Sequence, residues 1–242
     1  MKRVCVLTGA SGLLGVEFSK RFANIYHIVA VHHRNPLSHP TQDQVLFDPL
    51  SPNDAIDANN HALFSIRANI QREEDINRII RSVMLRFGCI DILINCAAVR
   101  SFSNFLSPQG ILKSERVFAI NVLAPLRLSV GFANAYWNQN PDSNRQNNRH
   151  IINISSTAGL VVYPNLGQGL YAASKAALNT LTCHLASEFK AIGIRVNAVA
   201  PDTFPGRVSI DEVLNAIMSL DTSDCTGQIV AQYYPKDVKQ PL

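Results

Sequence analysis

The sequence lacks several features that would assign it to a specialised class. Its five cysteines are scattered, odd in number and without a CxxC pair, which argues against a disulfide framework and a metal site. No dense run of lysine or arginine accompanies the formal net charge of +4, so we expect no nucleic-acid partner. No apolar run reaches the length of a transmembrane helix, and the run after Lys2 and Arg3 breaks at once into Thr8 and Gly9. These absences predict a soluble, cytoplasmic protein with no membrane partner.

The apolar content is sufficient for one large domain. Of 242 residues, 47% are hydrophobic, and no internal repeat, heptad pattern or low-complexity segment interrupts them. Apolar strands alternate along the chain with amphipathic helices. This alternation is typical of an α/β fold with a parallel sheet.

The first strand and the turn after it fit a phosphate-binding pattern. Val4–Leu7 is apolar throughout, and Gly9, Gly12 and Gly15 follow at intervals of three. Glycines here permit a tight turn and close approach of the backbone to a pyrophosphate, and the next helix directs its N terminus at that anion. The sequence therefore predicts a dinucleotide site after the first strand.

A tyrosine and a lysine stand four positions apart in the sequence YAASK, as Tyr171 and Lys175. On a helix the two side chains share one face. A free phenol has a pKa near 10, and an ammonium about 5 Å away favours the phenolate by roughly 3 kcal/mol at an effective dielectric near 20. The pair suits proton transfer to a carbonyl oxygen. Ser155 and Ser156 end an apolar strand upstream, and either hydroxyl could assist.

The glycine-rich turn, the serine at the end of a later strand and the YxxxK motif together resemble the short-chain dehydrogenase/reductase family. The resemblance covers about residues 3–230. It implies a Rossmann-type, doubly wound α/β fold with a mostly parallel sheet, in a single domain over residues 1–242. It also implies an oxidoreductase that transfers a hydride between a nicotinamide cofactor and a carbonyl or alcohol carbon.

The same resemblance implies four catalytic residues. Tyr171 gives or takes the proton, and Ser156, favoured over Ser155, polarises the substrate oxygen. Lys175 lowers the pKa of Tyr171 and binds the nicotinamide ribose. Asn121, in the sequence AINV, supports a proton relay.

A cofactor-binding set follows from the resemblance in the same way. It comprises Thr8, Gly9, Ser11, Gly12, Leu13, Leu14, Gly15, Arg34, Asn69, Ile70, Asn95, Ala97, Tyr171, Lys175, Pro201 and Thr203. After the second predicted strand, Ile28–Val31, no acid is present to bind ribose hydroxyls and repel a 2′-phosphate. Arg34 is placed there to bind a phosphate. We therefore expect NADP(H), with NAD(H) as the alternative.

Three motifs depart from the family pattern. The spacing TGxxGxxG, in place of TGxxxGxG, is that of longer, nucleotide-sugar-modifying relatives. Asn-Cys-Ala-Ala at 95–98 replaces Asn-Asn-Ala-Gly, and Pro201-Asp202 replaces Pro-Gly near the nicotinamide carboxamide. Two alternatives follow, a cofactor-binding sensor or scaffold without turnover and a nucleotide-sugar epimerase or dehydratase. The complete Ser–Tyr–Lys–Asn set argues against the first. The second is disfavoured because those relatives carry a substantial extra C-terminal region, whereas about twelve residues follow the last predicted strand, Gly227–Val230, in this sequence.

The segment after the sixth predicted strand, Ile194–Ala200, bears on the substrate. Seven residues, 202–208, separate Pro201 from the last predicted helix, too few for the helical lid that the family has there. We expect a turn and an open mouth, which favours a bulky or carrier-linked ketone over a small one. Arg100 and Arg207 are the expected anion contacts.

Two long helices bear on assembly. The stretches 113–137 and 169–191 each offer a second face of apolar or small residues. In the family such faces pack across subunits, so we expect a homodimer or homotetramer.

Two polar stretches carry no assigned chemistry. Residues 35–62 exceed the length that a strand–helix connection needs, and Val45–Phe47 could add a short strand. Residues 138–149 are rich in Asn and Gln, which predicts a surface loop.

Overall fold

In the computed structural model, residues 2–39, 41–42 and 63–233 are described. Seven strands form one sheet: β1 (Arg3–Thr8), β2 (Tyr26–His32), β3 (Phe64–Arg67), β4 (Ile92–Asn95), β5 (His150–Ile154), β6 (Arg195–Pro201) and β7 (Ile229–Gln232). Their order is β3-β2-β1-β4-β5-β6-β7, and every neighbouring pair is parallel. The order reverses between β1 and β4, where a ligand crevice is expected outside the carboxyl ends of the strands.

Helices cover both faces of this sheet. They are α1 (Leu13–Phe22), α2 (Glu73–Phe87), α3 (Gln109–Leu112), α4 (Ser114–Phe118), α5 (Ala124–Ala135), α6 (Pro141–Gln146), α7 (Gly169–Phe189) and α8 (Ile210–Thr222). One core lies between the sheet and α2, α5 and α7, and a second lies between the sheet and α1 and α8. Strand β1 must be apolar on both sides, because Val4 and Val6 enter the first core while Cys5 and Leu7 enter the second. The predicted doubly wound fold is confirmed.

The sequence of helix α2 accounts for where the helix begins and ends. Three acidic residues occupy its first turn, where they complement the positive end of the helix dipole. A stripe of buried side chains faces the sheet: Ile76, Ile79, Ile80 and Val83. Gly88 ends the helix in the left-handed conformation, with φ of 68°.

One expectation about helix length is corrected. The continuous helical stretch Ser114–Gln139 is long and apolar enough to cross a membrane by length and composition, whereas no such segment was expected. In this fold the stretch places Leu128, Phe132 and Trp137 in the first core. Core helices can be as long and as apolar as a membrane span, so burial within the domain accounts for part of the apolar character of this stretch.

Residues 138–149 do not form the expected surface loop. They include α6 and a buried polar cluster at the amino end of the sheet. Arg149 is 4% exposed, and its Nε lies 3.0 Å from Asp91 Oδ1. Its guanidinium also donates to the Tyr136 hydroxyl, and the buried Asn144 amide donates to two backbone carbonyls. The prediction was wrong because polar composition suggested exposure, whereas these polar groups bond to one another inside the protein.

The predicted short strand Val45–Phe47 lies outside the described residues. Next to that gap, Thr41 forms an isolated parallel bridge with Leu63. The Gln42 side chain bonds to the backbone N–H and carbonyl of Ser65. These contacts extend the sheet edge beside β3.

Candidate active site

A cleft of about 880 Å³ opens at the carboxyl ends of the strands. Fourteen of the eighteen predicted site residues line it: Gly9, Ser11, Gly12, Leu13, Leu14, Arg34, Asn69, Ile70, Ala97, Ser156, Tyr171, Lys175, Pro201 and Thr203. The cleft therefore joins the glycine-rich turn, the expected phosphate contact and the catalytic motif. The other four, Thr8, Gly15, Asn95 and Asn121, lie behind its lining.

Thr8 and Gly15 shape the turn after β1. The Thr8 hydroxyl accepts hydrogen bonds from the backbone N–H groups of Cys96 and Ala97, at 3.1 and 3.2 Å, and so holds the end of β4 beside β1. A Cβ at Gly15 would lie 2.5 Å from the Gly9 carbonyl oxygen, so only glycine lets α1 pack this closely on the turn. A cofactor contact is predicted for both residues; in the structure they lie behind the cleft lining and hold the turn in place.

The turn itself fits a pyrophosphate. Gly9 has φ of 71°, and a Cβ there would lie 2.8 Å from the backbone of Ala97. Helix α1 begins at Leu13 with no side-chain cap and no acid in its first turn. Its free backbone N–H groups and positive dipole end are therefore available to an anion.

Lys175 is fully enclosed beneath the cleft. It is 2% exposed, and its Nζ donates to the Ile154 carbonyl at 2.7 Å. The same Nζ lies 5.8 Å from the centre of the Tyr171 ring, because both side chains project from one face of α7. Burial lowers the pKa of Lys175 to about 8. This ammonium can therefore exchange a proton close to neutral pH.

The Tyr171 phenol is also buried, and burial raises its pKa above the usual value. A hydrogen bond from Ser156 and the positive charge of Arg100 act in the opposite direction. The sequence predicts that Lys175 lowers the pKa of this phenol, whereas burial, the largest influence on this pKa, acts in the opposite direction. The expectation counted the attraction of the ammonium and left out the cost of burying a phenolate.

The two candidate serines have different surroundings. Ser155 is buried, and its hydroxyl donates to the Asn179 side-chain oxygen at 2.5 Å. Ser156 lines the cleft, where its hydroxyl caps the turn Thr157–Gly159, donates to the Pro201 carbonyl at 3.4 Å and acts to lower the pKa of Tyr171. The geometry favours Ser156 as the residue that meets a substrate oxygen.

Asn121 lies in a π-helical turn, Ala119–Leu123, between α4 and α5. Its amide bonds to both backbone groups of Val99, at 2.8 and 3.0 Å, and donates to the Ser174 hydroxyl at 2.9 Å. The extra residue of a π-helical turn lets a side chain point inward here. Asn121 thus joins the segment after β4 to α7, one position before Lys175.

Asn95 is another positioning residue. Its side-chain amide donates to Asn153 Oδ1 at 2.8 Å, and the Asn153 amide in turn donates to the Thr182 hydroxyl. This buried chain fastens β4 to β5 and β5 to α7. Asn95, for which a cofactor contact is predicted, does not line the cleft.

Among the described residues, no acid lines the opposite end of the cleft. Arg34 is exposed there, with no hydrogen bond or ion pair to any residue that the structure describes. The His32 ring is held by the Asn35 carbonyl and the Ser65 hydroxyl. Asn69 uses its side-chain oxygen on Gln71 and keeps its amide N–H groups for a ligand.

Asp202 is the one acid among the described residues that line the cleft. It is 6% exposed, and its Oδ1 accepts from the Thr203 N–H, the Thr203 hydroxyl and the Tyr163 hydroxyl, at 2.6, 3.2 and 3.1 Å. Both donors of Thr203 are therefore engaged within the protein. Oδ2 of Asp202 is buried without a hydrogen-bond partner in the described part of the chain.

Tyr163 was not predicted as a site residue. Its hydroxyl lies 2.7 Å from the Thr157 hydroxyl and bonds to Asp202, so it bridges the two loops that border the catalytic end. Burial raises the pKa of Tyr163. No motif connects positions 163 and 202. The presence of an acid in place of the family's glycine was the one sequence signal that pointed here.

The segment 202–208 forms turns and no helix, as expected. Arg100 Nη2 donates to the Phe204 carbonyl at 3.0 Å and so ties this segment to the loop after β4. Phe204 and Pro205 line the cleft beside Thr203. Arg100 and Arg116 also line it, whereas Arg207 does not.

Comparisons with known proteins agree with this geometry. The family model "short chain dehydrogenase" matches residues 3–209. The 3-oxoacyl-(acyl-carrier-protein) reductase FabG of Staphylococcus aureus (strain Mu50) is 30% identical over 201 residues, which cover 83% of this chain and 74% of that protein. The 2-(R)-hydroxypropyl-CoM dehydrogenase of Xanthobacter autotrophicus is 28% identical over 247 residues, 98% of this chain and 86% of that one.

Solved structures share the fold. An NADH-dependent reductase A1-R′ in complex with NAD superposes with a TM-score of 0.77 at 22% identity, covering 97% of this chain and 96% of that one. The Pseudomonas aeruginosa RhlG/NADP complex gives 0.76 at 19% identity, covering 96% and 95%. The chain therefore belongs to the short-chain dehydrogenase/reductase family, oxidoreductases that act on carbonyl and alcohol carbons with a nicotinamide cofactor.

Proposed function

We propose that this chain is an NADPH-dependent reductase that converts a ketone into an alcohol, or catalyses the reverse reaction. We further propose that residues 1–242 form a single NADP(H)-binding domain. The observation that carries the proposal is that one cleft contains Ser156, Tyr171 and Lys175 at one end and the glycine-rich turn and Arg34 at the other. When bound, the cofactor supplies the hydride that the carbonyl carbon accepts.

The chain's own residues then handle the proton and the oxygen. Tyr171 donates its phenolic proton to the carbonyl oxygen, and Ser156 donates a hydrogen bond to the same oxygen. Lys175 binds the ribose hydroxyls next to the nicotinamide and returns a proton to Tyr171. The pKa of Lys175, about 8, supports this relay, because it permits proton exchange near neutral pH. Asn121 holds the neighbouring Ser174 and so orients this part of α7.

The preference for NADPH rests on Arg34. An exposed guanidinium without a partner among the described residues can bind a 2′-phosphate through two N–H groups. The acid that would bind the ribose hydroxyls of NAD(H) is absent from the described lining at that end. Solved relatives with this fold occur with NADH, NAD and NADP. The fold alone therefore does not set the cofactor, and the proposed preference depends on this chain's own residues.

The proposed substrate is a bulky or carrier-linked ketone. Support comes from the short turn at 202–208, which leaves the catalytic end without a helical lid. The relative from Staphylococcus aureus is named for an acyl-carrier-protein substrate, in agreement with this class. Arg100 and Arg116 offer positive charge at the mouth for an anionic carrier.

We also propose that the chain is cytoplasmic, because its cysteines are unpaired, and that it forms a homodimer or homotetramer. Leu123 and Val130 are exposed on the helical stretch 114–139, as an interface between subunits requires. Light scattering at micromolar concentration is expected to report two or four copies of the 26.6 kDa chain. A monomer would contradict the assembly but not the chemistry.

A panel of carbonyl compounds tests the activity directly. NADPH oxidation is measured with small diketones, bulky ketones and thioester-linked ketones, and NADPH affinity is measured separately by fluorescence. Tight binding without turnover on any ketone would favour a sensor or scaffold. Conversion of a nucleotide sugar with no net oxidation of NADPH would favour an epimerase or dehydratase.

A further inference from the structure

Large apolar side chains are exposed around the mouth of the cleft. Five of them lie on the segments 102–106 and 162–166, each of which contributes residues to the cleft lining, and we call these five the apolar rim: Phe102, Phe105, Leu106, Val162 and Leu166. Each is about half exposed or more, and Leu106 is 93% exposed. Exposed apolar side chains that cluster in this way mark a binding surface, whereas isolated ones do not.

The two segments of the rim are fixed to each other. The Ser103 N–H donates to the Gly167 carbonyl at 2.7 Å. The Phe105 ring lies directly over Gly169, the first residue of α7, where a Cβ would come within about 2.4 Å of the ring. The rim is therefore anchored to the helix that carries Tyr171 and Lys175.

The rim continues into the catalytic end of the cleft. Phe102 and Leu166 line the cleft and also belong to the rim. The Phe102 ring meets the Tyr171 ring edge-on, with 6.2 Å between their centres. The apolar surface thus begins beside the proton donor and extends outward to Leu106.

We propose that the apolar rim binds the hydrocarbon tail of the substrate, so that the preferred substrate is a ketone with a long aliphatic chain. This inference rests on the proposed reductase activity. With the carbonyl beside Tyr171, the tail leaves the cleft over Phe102 and Leu166 and reaches Phe105 and Leu106. The contact requires no charged partner, because the five rim side chains are apolar.

The expected effect follows from burial of methylene groups. Each methylene transferred from water to an apolar contact strengthens binding by about fourfold at most. On an open rim only one side of the tail is covered, so the gain per methylene is smaller. We expect kcat/KM to rise at least tenfold from 2-butanone to 2-decanone.

The test compares this chain-length ratio among three proteins. The double variant Leu106→Ser/Leu166→Ser removes apolar area from the rim and is expected to lower the ratio at least fivefold. Leu85→Ser is the matched control. Leu85 is also an exposed leucine, but it lies on α2 and does not line the cleft. The control is expected to keep the wild-type ratio.

Binding without turnover separates this inference from the proposed activity. Calorimetric titration of 2-decanol and 2-butanol into the NADPH-loaded protein is expected to show the same preference and the same loss in the double variant. If neither ketone is reduced but the rim still sets alcohol affinity, the proposed activity fails, while the assignment of the rim to a hydrocarbon tail stands. An unchanged ratio in both measurements would overturn the inference.

Two other occupants of the rim would be revealed by the same variant. If the double variant loses subunits in light scattering while its chain-length ratio is unchanged, the rim is an interface between copies. If it loses binding to phosphatidylcholine vesicles instead, the rim is a membrane contact. Either result would overturn the assignment to a substrate tail.

Discussion

The two ends of the sheet differ in whether their buried charged groups have partners of opposite charge. At the amino end, Arg149 is paired with Asp91, and Arg3 is paired with Asp221 at 2.7 Å. Asp221 also accepts from the Tyr26 hydroxyl. At the carboxyl end, Lys175 is buried with a backbone carbonyl as its hydrogen-bond partner, and Asp202 keeps one oxygen without a partner among the described residues. At the amino end Arg149 and Arg3 each have an acidic partner, whereas at the carboxyl end neither Lys175 nor Asp202 has an ion-pair partner among the described residues.

This difference shows how burial separates stability from chemistry. A buried charge with a well-placed partner remains charged and holds the fold together. A buried amine without an acid nearby has a lowered pKa, as Lys175 does, and becomes able to exchange a proton. Buried charged residues therefore hold the fold together at one end of the sheet and can exchange a proton at the other, where we propose catalysis.

The largest expected effect comes from breaking the amino end. Arg149→Met leaves Asp91 buried and uncompensated, which should lower the free energy of unfolding by about 3–5 kcal/mol. Urea denaturation measures it. Lys20→Ala is the control, because the Lys20–Glu17 pair is exposed and should cost less than about 1 kcal/mol. Equal effects of the two substitutions would show that the buried pair contributes nothing special.

Removing the proton donor tests the carboxyl end. Tyr171→Phe should lower kcat by on the order of 10²-fold or more, because it deletes a general acid and little else. Single-turnover oxidation of NADPH measures the step, and fluorescence titration should show nearly unchanged NADPH affinity. A variant that turns over at the wild-type rate would remove Tyr171 from the mechanism.

A third substitution exposes the cost of burying an amine. The pKa of Lys175 is about 8, below its ordinary value of 10.5, so below pH 8 the folded state holds the positive charge in its interior, whereas the unfolded state holds the same charge in water. Lys175→Met should therefore raise the free energy of unfolding by about 2 kcal/mol at pH 7, after loss of one hydrogen bond is allowed for.

The pH dependence of that gain gives the check. The unfolded state binds more protons than the folded state between pH 8 and 10.5, so wild-type stability rises with pH across that range relative to the variant. The advantage of Lys175→Met should shrink there and vanish above it. An advantage that is constant with pH would mean that the variant acts through packing.

The smallest expected effect concerns cofactor choice at the far end of the cleft. Arg34→Ala should weaken NADPH binding about tenfold, equivalent to about 1.4 kcal/mol, and leave NADH binding unchanged. The matched control is Arg81→Ala, because Arg81 is exposed on α2 and does not line the cleft. Equal affinities of the wild-type protein for the two cofactors would contradict the assigned preference.

Much of the fold could be read from local pattern. A few neighbouring residues are enough to predict several elements: the uniformly apolar β1, the turn at the glycines after it, and α2 with its isoleucine stripe. The four-residue spacing of Tyr171 and Lys175 placed both on one helical face, as the structure has them. These features depend on backbone periodicity and on steric limits at glycine, which act over short stretches of chain.

Contacts between distant parts of the chain were decided by the tertiary structure. The bridge from Tyr163 to Asp202 spans 39 positions, and the pair of Arg149 and Asp91 spans 58. No periodicity encodes such a pair, because each partner only needs to be polar at its own position. Composition alone therefore suggested a surface loop where Arg149 is buried.

The same limit applies to the electrostatics of the site. The sequence alone determined that a phenol and an amine would share a helical face beside a glycine-rich turn, because helical spacing and glycine sterics are local. Only the folded structure decided that Tyr171 would be enclosed, so that burial raises its pKa while Ser156 and Arg100 act in the opposite direction. Burial is a property of everything that packs around a group, and those neighbours come from every part of the chain.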